Sequence, residues 1–207
     1  MSWPALSPAW RAAFEEAWSA HQGGNVPIGA SIADEQGLVL ARGRNRLAEP
    51  RGVQGVISGH DLGHAEVNAL LALPELDRSR LRPLTLHTTV EPCPQCAGVL
   101  AMHSVRGLSY AAREPWSGAA DLFELHPYLR QKGMRVSRGP AELARASLLL
   151  VLLAELADGR CVGKYRAAYE MHEPERLHEA ERLHALGGVL RELSAEQAYG
   201  FLTGVPA

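Results

Sequence analysis

His64, Glu66, Cys93 and Cys96 are the residues of this chain whose types and spacing could do chemistry. They fall in two short runs, His64-Ala65-Glu66 and Pro92-Cys93-Pro94-Gln95-Cys96. One imidazole and two thiolates supply three of the four ligands of a tetrahedral zinc, and a catalytic zinc keeps the last position for water. Glu66 is not needed as a ligand and is free to serve as the general base beside that water. One Zn2+ per chain is therefore expected on His64, Cys93 and Cys96. Two other readings of the cysteine pair stand beside this one. A strand followed by CxxC at a helix start also describes a redox dithiol. A closed structural zinc would need a fourth protein ligand, and the remaining cysteine, Cys161, lies far along the chain. Neither reading uses His64-Ala65-Glu66.

Positioning these groups requires two helix starts. Residues 83–90 are rich in Thr, Leu and Val and read as a buried strand leading to the cysteines. Pro92 suits the first turn of the helix that follows, and Cys93 and Cys96 fall on one face of it. His64 opens a second apolar helical run that stops before Pro74. Around these, Ser7-Pro8 caps a helix bearing Trp10, Phe14 and Trp18 on one face and ending at Gly23-Gly24. Residues 26–32 and 38–41 read as a strand pair, and 42–63 as a Gly-rich loop. A strand near 107–112, a helix near 122–131, a strand near 134–137 and a long apolar helix from Pro140 to Asp158 complete an α/β pattern with helices on both faces.

Composition fits an enzyme of ordinary globular type. The 207 residues are 46% hydrophobic with a formal net charge of −2, which excludes disorder and a strong field toward polyanions. Three cysteines give no disulfide framework, so a reducing, cytoplasmic setting is expected. The start of the chain lacks the pattern of a signal peptide, and the apolar run at 146–154 is too short to span a bilayer. No membrane partner is expected.

The segments Asn25-Val26-Pro27-Ile28-Gly29-Ala30, Gly43-Arg44-Asn45-Arg46, His64-Ala65-Glu66, Thr89-Val90-Glu91-Pro92-Cys93-Pro94-Gln95-Cys96-Ala97-Gly98 and Ser109-Tyr110-Ala111-Ala112-Arg113 together resemble the cytidine deaminase-like superfamily. They are most similar to its tRNA adenosine deaminases and bacterial guanine deaminases, with the likeness running from about Trp10 to Asp158. The resemblance implies a three-layer α/β/α sandwich around a five-stranded mixed sheet, and a homodimer. It makes His64, Cys93 and Cys96 the zinc ligands, Glu66 the proton shuttle and Asn45 a substrate-binding asparagine. The implied reaction replaces the exocyclic amine of a nucleobase or nucleoside, purine favoured, by a carbonyl, releasing ammonia. The alternatives are adenosine-to-inosine deamination of tRNA and a non-catalytic binding module.

Three regions depart from the family pattern or extend past it. The residues before His64 are His60-Asp61-Leu62-Gly63, where relatives commonly carry Pro-Thr-Ala or a near variant, and the loop from Asn45 is longer. His60 is read as a loop residue without a metal role. Arg42, Arg44, Arg46 and Arg51 cluster beside the expected pocket and are read as a solvated run rather than a phosphate grip. Where tRNA-acting relatives carry a basic, aromatic last helix, residues 148–156 are apolar and suited to burial, so free substrate is favoured over tRNA. The chain is divided into a zinc deaminase domain, 1–158, and a helical C-terminal extension, 159–207. In the extension His172, His178 and His184 spread around a helix. Leu177, Leu183, Leu186 and Leu190 form a partial apolar stripe, suited to packing on the core, a sister subunit or a partner. Cys161 is read as an inert buried thiol.

Overall fold

Ser7 starts the first helix as its sequence predicts: in the computed structural model its hydroxyl accepts from the Trp10 amide at 3.4 Å, with Pro8 behind it. Residues 1–185 and 190–204 are described, except for the side chain of residue 190. Helix α1 (Pro8–Gln22) buries Trp10, Phe14 and Trp18 on one face. It leads into β1 (Gly29–Ala33) and β2 (Val39–Arg44), paired antiparallel. Then come α2 (Ala65–Leu71), α3 (Arg78–Leu81), β3 (Thr85–Val90), α4 (Pro94–Met102) and β4 (Gly107–Ala112). After these follow α5 (Leu122–Leu125), α6 (Pro127–Arg130), β5 (Arg135–Arg138) and α7 (Ala141–Ala157).

The sheet order is β2-β1-β3-β4-β5, with β1 antiparallel to β2 and β3, and β3, β4 and β5 parallel. Two apolar layers cover it. Trp10, Phe14 and Trp18 join Leu143, Leu149 and Leu152 of α7 on one face. Ala65, Ala69 and Leu70 of α2 join Ala97 and Leu100 of α4 on the other. This is the expected three-layer α/β/α sandwich on a five-stranded mixed sheet.

Several boundaries differ from expectation for local reasons. Strand β2 runs on through Arg42, Gly43 and Arg44, so the loop begins at Asn45. Gly43 permits this, because a Cβ there would lie 2.2 Å from the Ala69 amide of α2. The helix near 122–131 is two short ones, since Pro127 lacks an amide hydrogen and turns its predecessor, His126, extended. The cysteine helix starts at Pro94 rather than Pro92, leaving Cys93 as its N-cap. Helix α3 was not foreseen; Asp77 caps it by accepting from the Arg80 amide at 3.0 Å.

Past Asp158 the chain forms α8 (Gly163–His172), α9 (Pro174–Ala185), a 3-10 turn (Leu190–Glu192) and α10 (Ala195–Thr203), broken first at Glu173-Pro174. Tyr169, Leu177, Ala180, Ala198, Tyr199 and Leu202 are buried in the same apolar layer as α1 and α7. Leu183 packs partly against it. The expected stripe residue Leu186 and the Leu190 side chain lie outside the described residues. His172, His178 and His184 are all exposed, and Cys161 is buried with its thiol pushed up by that burial.

Candidate metal centre

His64 and Cys93 occupy the same kind of position, each the N-cap of a helix and each in extended backbone. Neither side chain caps its own helix. Both are therefore free to point across the gap between α2 and α4, with Cys96 one turn inside α4. The His64 Nδ1 lies 3.6 Å from the Cys93 sulfur and 3.4 Å from the Cys96 sulfur. The ligand atoms of all three residues fall within 4.8 Å of one another. A nitrogen and a sulfur on one tetrahedral zinc stand about 3.6 Å apart, given ordinary zinc–ligand bond lengths. The donor set thus fits zinc in chemistry and in spacing.

The two thiols differ. Cys93 has its pKa pulled down to about 4, first by the neighbouring Cys96 and then by His64. Cys96, the more buried of the two, is shifted up by Cys93 and by burial. His64 is shifted up, chiefly by its bond to Cys93. A thiolate beside a cationic imidazole is the state that a metal ion replaces on binding.

Glu66 completes the constellation. It is 4% exposed, and its carboxylate accepts from Thr88 Oγ1 and from the Cys96 sulfur, each at 3.3 Å. Burial pushes its carboxyl up from the ordinary range. Asn45 is 2% exposed. Its Oδ1 accepts from the Leu47 amide at 3.1 Å, and no described residue takes a hydrogen bond from its Nδ2. The next residue, Arg46, bonds through its amide to the Gly63 carbonyl at 2.8 Å, which places Asn45 near the start of α2.

Two residues that pattern reading does not single out shape the surroundings. Asn68 of α2 clamps the long loop: its Oδ1 accepts from the Ile57 amide at 2.8 Å, and its Nδ2 donates to the Ile57 and Arg44 carbonyls at 3.0 and 3.2 Å. A lone amide inside an apolar helix was its one visible signal. Thr88 gave none, being one Thr among several in a strand. The loop bears a shallow, open hollow of about 360 Å³ lined by Val56, Ile57, His60 and Leu62 among others. His60 is exposed, and its Nδ1 accepts from the Leu62 amide at 3.1 Å. The arginines are largely engaged: Arg42 pairs with Glu15 at 2.6 Å, Arg44 and Arg46 share Glu49, and Arg51 donates to the Gly59 carbonyl.

Comparison with known proteins bears on the same residues. The family described as the cytidine and deoxycytidylate deaminase zinc-binding region matches residues 6–112. The chain is similar to a tRNA-specific adenosine deaminase of Agrobacterium fabrum, 36% identical over 110 residues covering 53% of this chain and 66% of that one. It is also similar to that of Bacillus subtilis, 34% identical over 110 residues covering 52% and 62%. It thus spans a little under two thirds of each. A solved structure from work on A-to-I editing by tRNA:A34 deaminases is 28% identical, with TM-score 0.52 over 63% of this chain and 96% of that one. The guanine deaminase from Nitrosomonas europaea shares the fold, with TM-score 0.55 and 23% identity over 75% and 86%.

Proposed function

The chain belongs to the cytidine and deoxycytidylate deaminase zinc-binding family, and from that premise we propose that it is a hydrolytic deaminase of a nucleobase or nucleoside, purine favoured. The observation that carries the proposal is the buried Glu66 carboxylate set against Cys96, beside the three-ligand cluster. His64, Cys93 and Cys96 would hold zinc, whose Lewis acidity brings water close to deprotonation at neutral pH. Glu66 takes the proton from the attacking water and returns protons to the ring nitrogen and the departing amine. Its raised pKa suits a group that must hold a proton as well as accept one. Water is consumed, the carbon–nitrogen bond breaks, and ammonia leaves as the carbonyl forms. Asn45 donates its free amide hydrogens to the base and orients it. The loop clamped by Asn68 would border the bound substrate.

The engagement of Arg42, Arg44, Arg46 and Arg51 supports a free base or nucleoside over a polyanion. The second reading, adenosine-to-inosine deamination of tRNA, is favoured by the adenosine deaminases at 36% and 34% identity. We read residues 1–158 as the deaminase domain and 159–207 as an extension. The three cysteines are free thiols, in keeping with a cytoplasmic enzyme. No described helix is long and apolar enough to cross a membrane. The exposed Leu71 of α2, Val99 and Met102 of α4 and Tyr128 of α6 support a homodimer built on that face.

Ammonia release from purified protein, offered adenine, guanine, cytosine, their nucleosides and a tRNA anticodon stem-loop, tests the reading. Turnover of a free purine and about one zinc per chain are expected. Activity confined to the stem-loop and collapsing with salt would establish the second reading instead. A metal-free protein with a Cys93–Cys96 disulfide would remove both. Zinc without ammonia from any substrate would mark a binding module.

A further inference from the structure

The loop after β4, residues 113–120, closes onto the turn that presents Cys93. Glu91 uses both carboxylate oxygens for it, accepting from the Glu114 and Ala120 amides at 3.2 Å each. The Ala119 amide donates to the Pro92 carbonyl at 2.9 Å. A Cβ on Gly118 would stand 2.4 Å from the Glu114 backbone carbonyl and 2.6 Å from the Glu91 carboxylate, so a larger residue would force the loop to shift. A hollow of about 380 Å³, lined by Glu91, Glu114, Gly118 and Asp121 among others, opens against the loop. The loop is held by these hydrogen bonds and, at its end, by Ala119 and Ala120, which are buried in the α2–α4 apolar layer.

The C-terminal extension reaches this loop. Tyr169 of α8 is fully buried and donates its hydroxyl to Glu114 Oε2 at 2.7 Å. The Tyr165 ring lies against it, with centroids 4.8 Å apart. The other oxygen of Glu114 accepts from the Trp116 amide at 2.9 Å. A chain of contacts thus runs from Tyr169 through Glu114 to Glu91, which sits just before Pro92-Cys93.

We propose that Tyr169 is a positioning residue for the metal centre, holding the Cys93 turn through Glu114 and Glu91, so that the C-terminal helices are a working part of the site. The proposal rests on the zinc deaminase reading above. Groups bonded directly to metal ligands typically govern metal affinity or activity by about ten- to a hundredfold, and Tyr169, which acts through Glu114 and Glu91, belongs at the lower end.

Tyr169→Phe keeps the ring in the core and removes only the hydroxyl. Zinc affinity is measured by competition with a chromophoric chelator, and kcat and KM on the best substrate found. We expect about a tenfold loss of zinc affinity and a fall in kcat with KM little changed. Glu114→Ala, which cuts the same bond from the loop side, should match it, and the double variant should be no worse than either. If Tyr169→Phe does not fold, Glu114→Ala carries the test. Met171→Ala, on the exposed face of the same helix, serves as the control at wild-type values. Wild-type zinc affinity, kcat and KM in Tyr169→Phe would overturn the proposal, whatever its melting temperature. If the unaltered chain binds zinc but releases no ammonia, the deaminase reading alone fails and the affinity comparison decides this one. If it binds no zinc, both fall.

Discussion

Glu66 is deeply buried, with the His64 imidazole and its own amide close by, and its hydrogen bonds to other side chains come from one hydroxyl and one thiol, each at 3.3 Å. Burial raises the affinity of Glu66 for a proton, so the carboxylate that takes the proton of the attacking water can hold it until the leaving amine receives it. Glu66→Gln keeps the size and removes the shuttle. It should retain zinc while kcat falls about a thousandfold; elemental analysis with an ammonia assay checks this, and near wild-type turnover would take Glu66 out of the mechanism. His64, Glu66, Cys93 and Cys96 were legible because their chemistry is carried by residue type and short spacing. Thr88 and Asn68 were not, because their roles depend on which strand or loop lies opposite, and local spacing does not encode that. The role proposed for Asn45 rests on the resemblance alone.

At the scale of elements, helix periodicity and proline were informative, while the exact starts and stops followed tertiary contacts. The α1 stripe of Trp10, Phe14 and Trp18 is buried as its spacing predicts. The end of β2 was misjudged because Gly43 looks like a loop residue, and only the approach of α2 explains its place in a strand. That contact matters for the site, since α2 carries His64 and Glu66. Gly43→Ala would force a methyl into the Ala69 and Ala65 backbone, with no flexible side chain able to yield. We expect a loss of about 2 kcal/mol or more in urea unfolding, with weaker zinc binding in the protein that still folds. A variant as stable as the parent would show that α2 can shift freely from the sheet.

Taken whole, the molecule does not divide its core where the resemblance ends. Tyr169, Leu177 and Tyr199 of the extension share one apolar layer with Phe14 and Leu149, and Trp18 donates to the Leu193 carbonyl at 3.0 Å. The apolar run at 148–156 foretold burial, and the partial stripe after it left three covers open, the core, a sister subunit or a partner; Leu177 and Leu183 pack on the core. The opposite side is less well covered: Leu71, Val99, Met102 and Tyr128 stay exposed, and the Tyr128 hydroxyl touches the Met102 sulfur. Light scattering on the protein should give twice the 22.4 kDa chain mass, and Met102→Glu should halve it; a monomeric parent would refute the dimer. One feature of the centre also acts at this scale. Because His64 and Cys93 head two separate helices, an ion between them ties off the intervening chain as a disulfide would, shrinking the freedom of the unfolded state. Unlike a disulfide, this tie is undone by chelation and obeys mass action. The stability of the α2–α4 layer would then rise with the logarithm of free zinc, so the lifetime of the fold would track the metal supply around it.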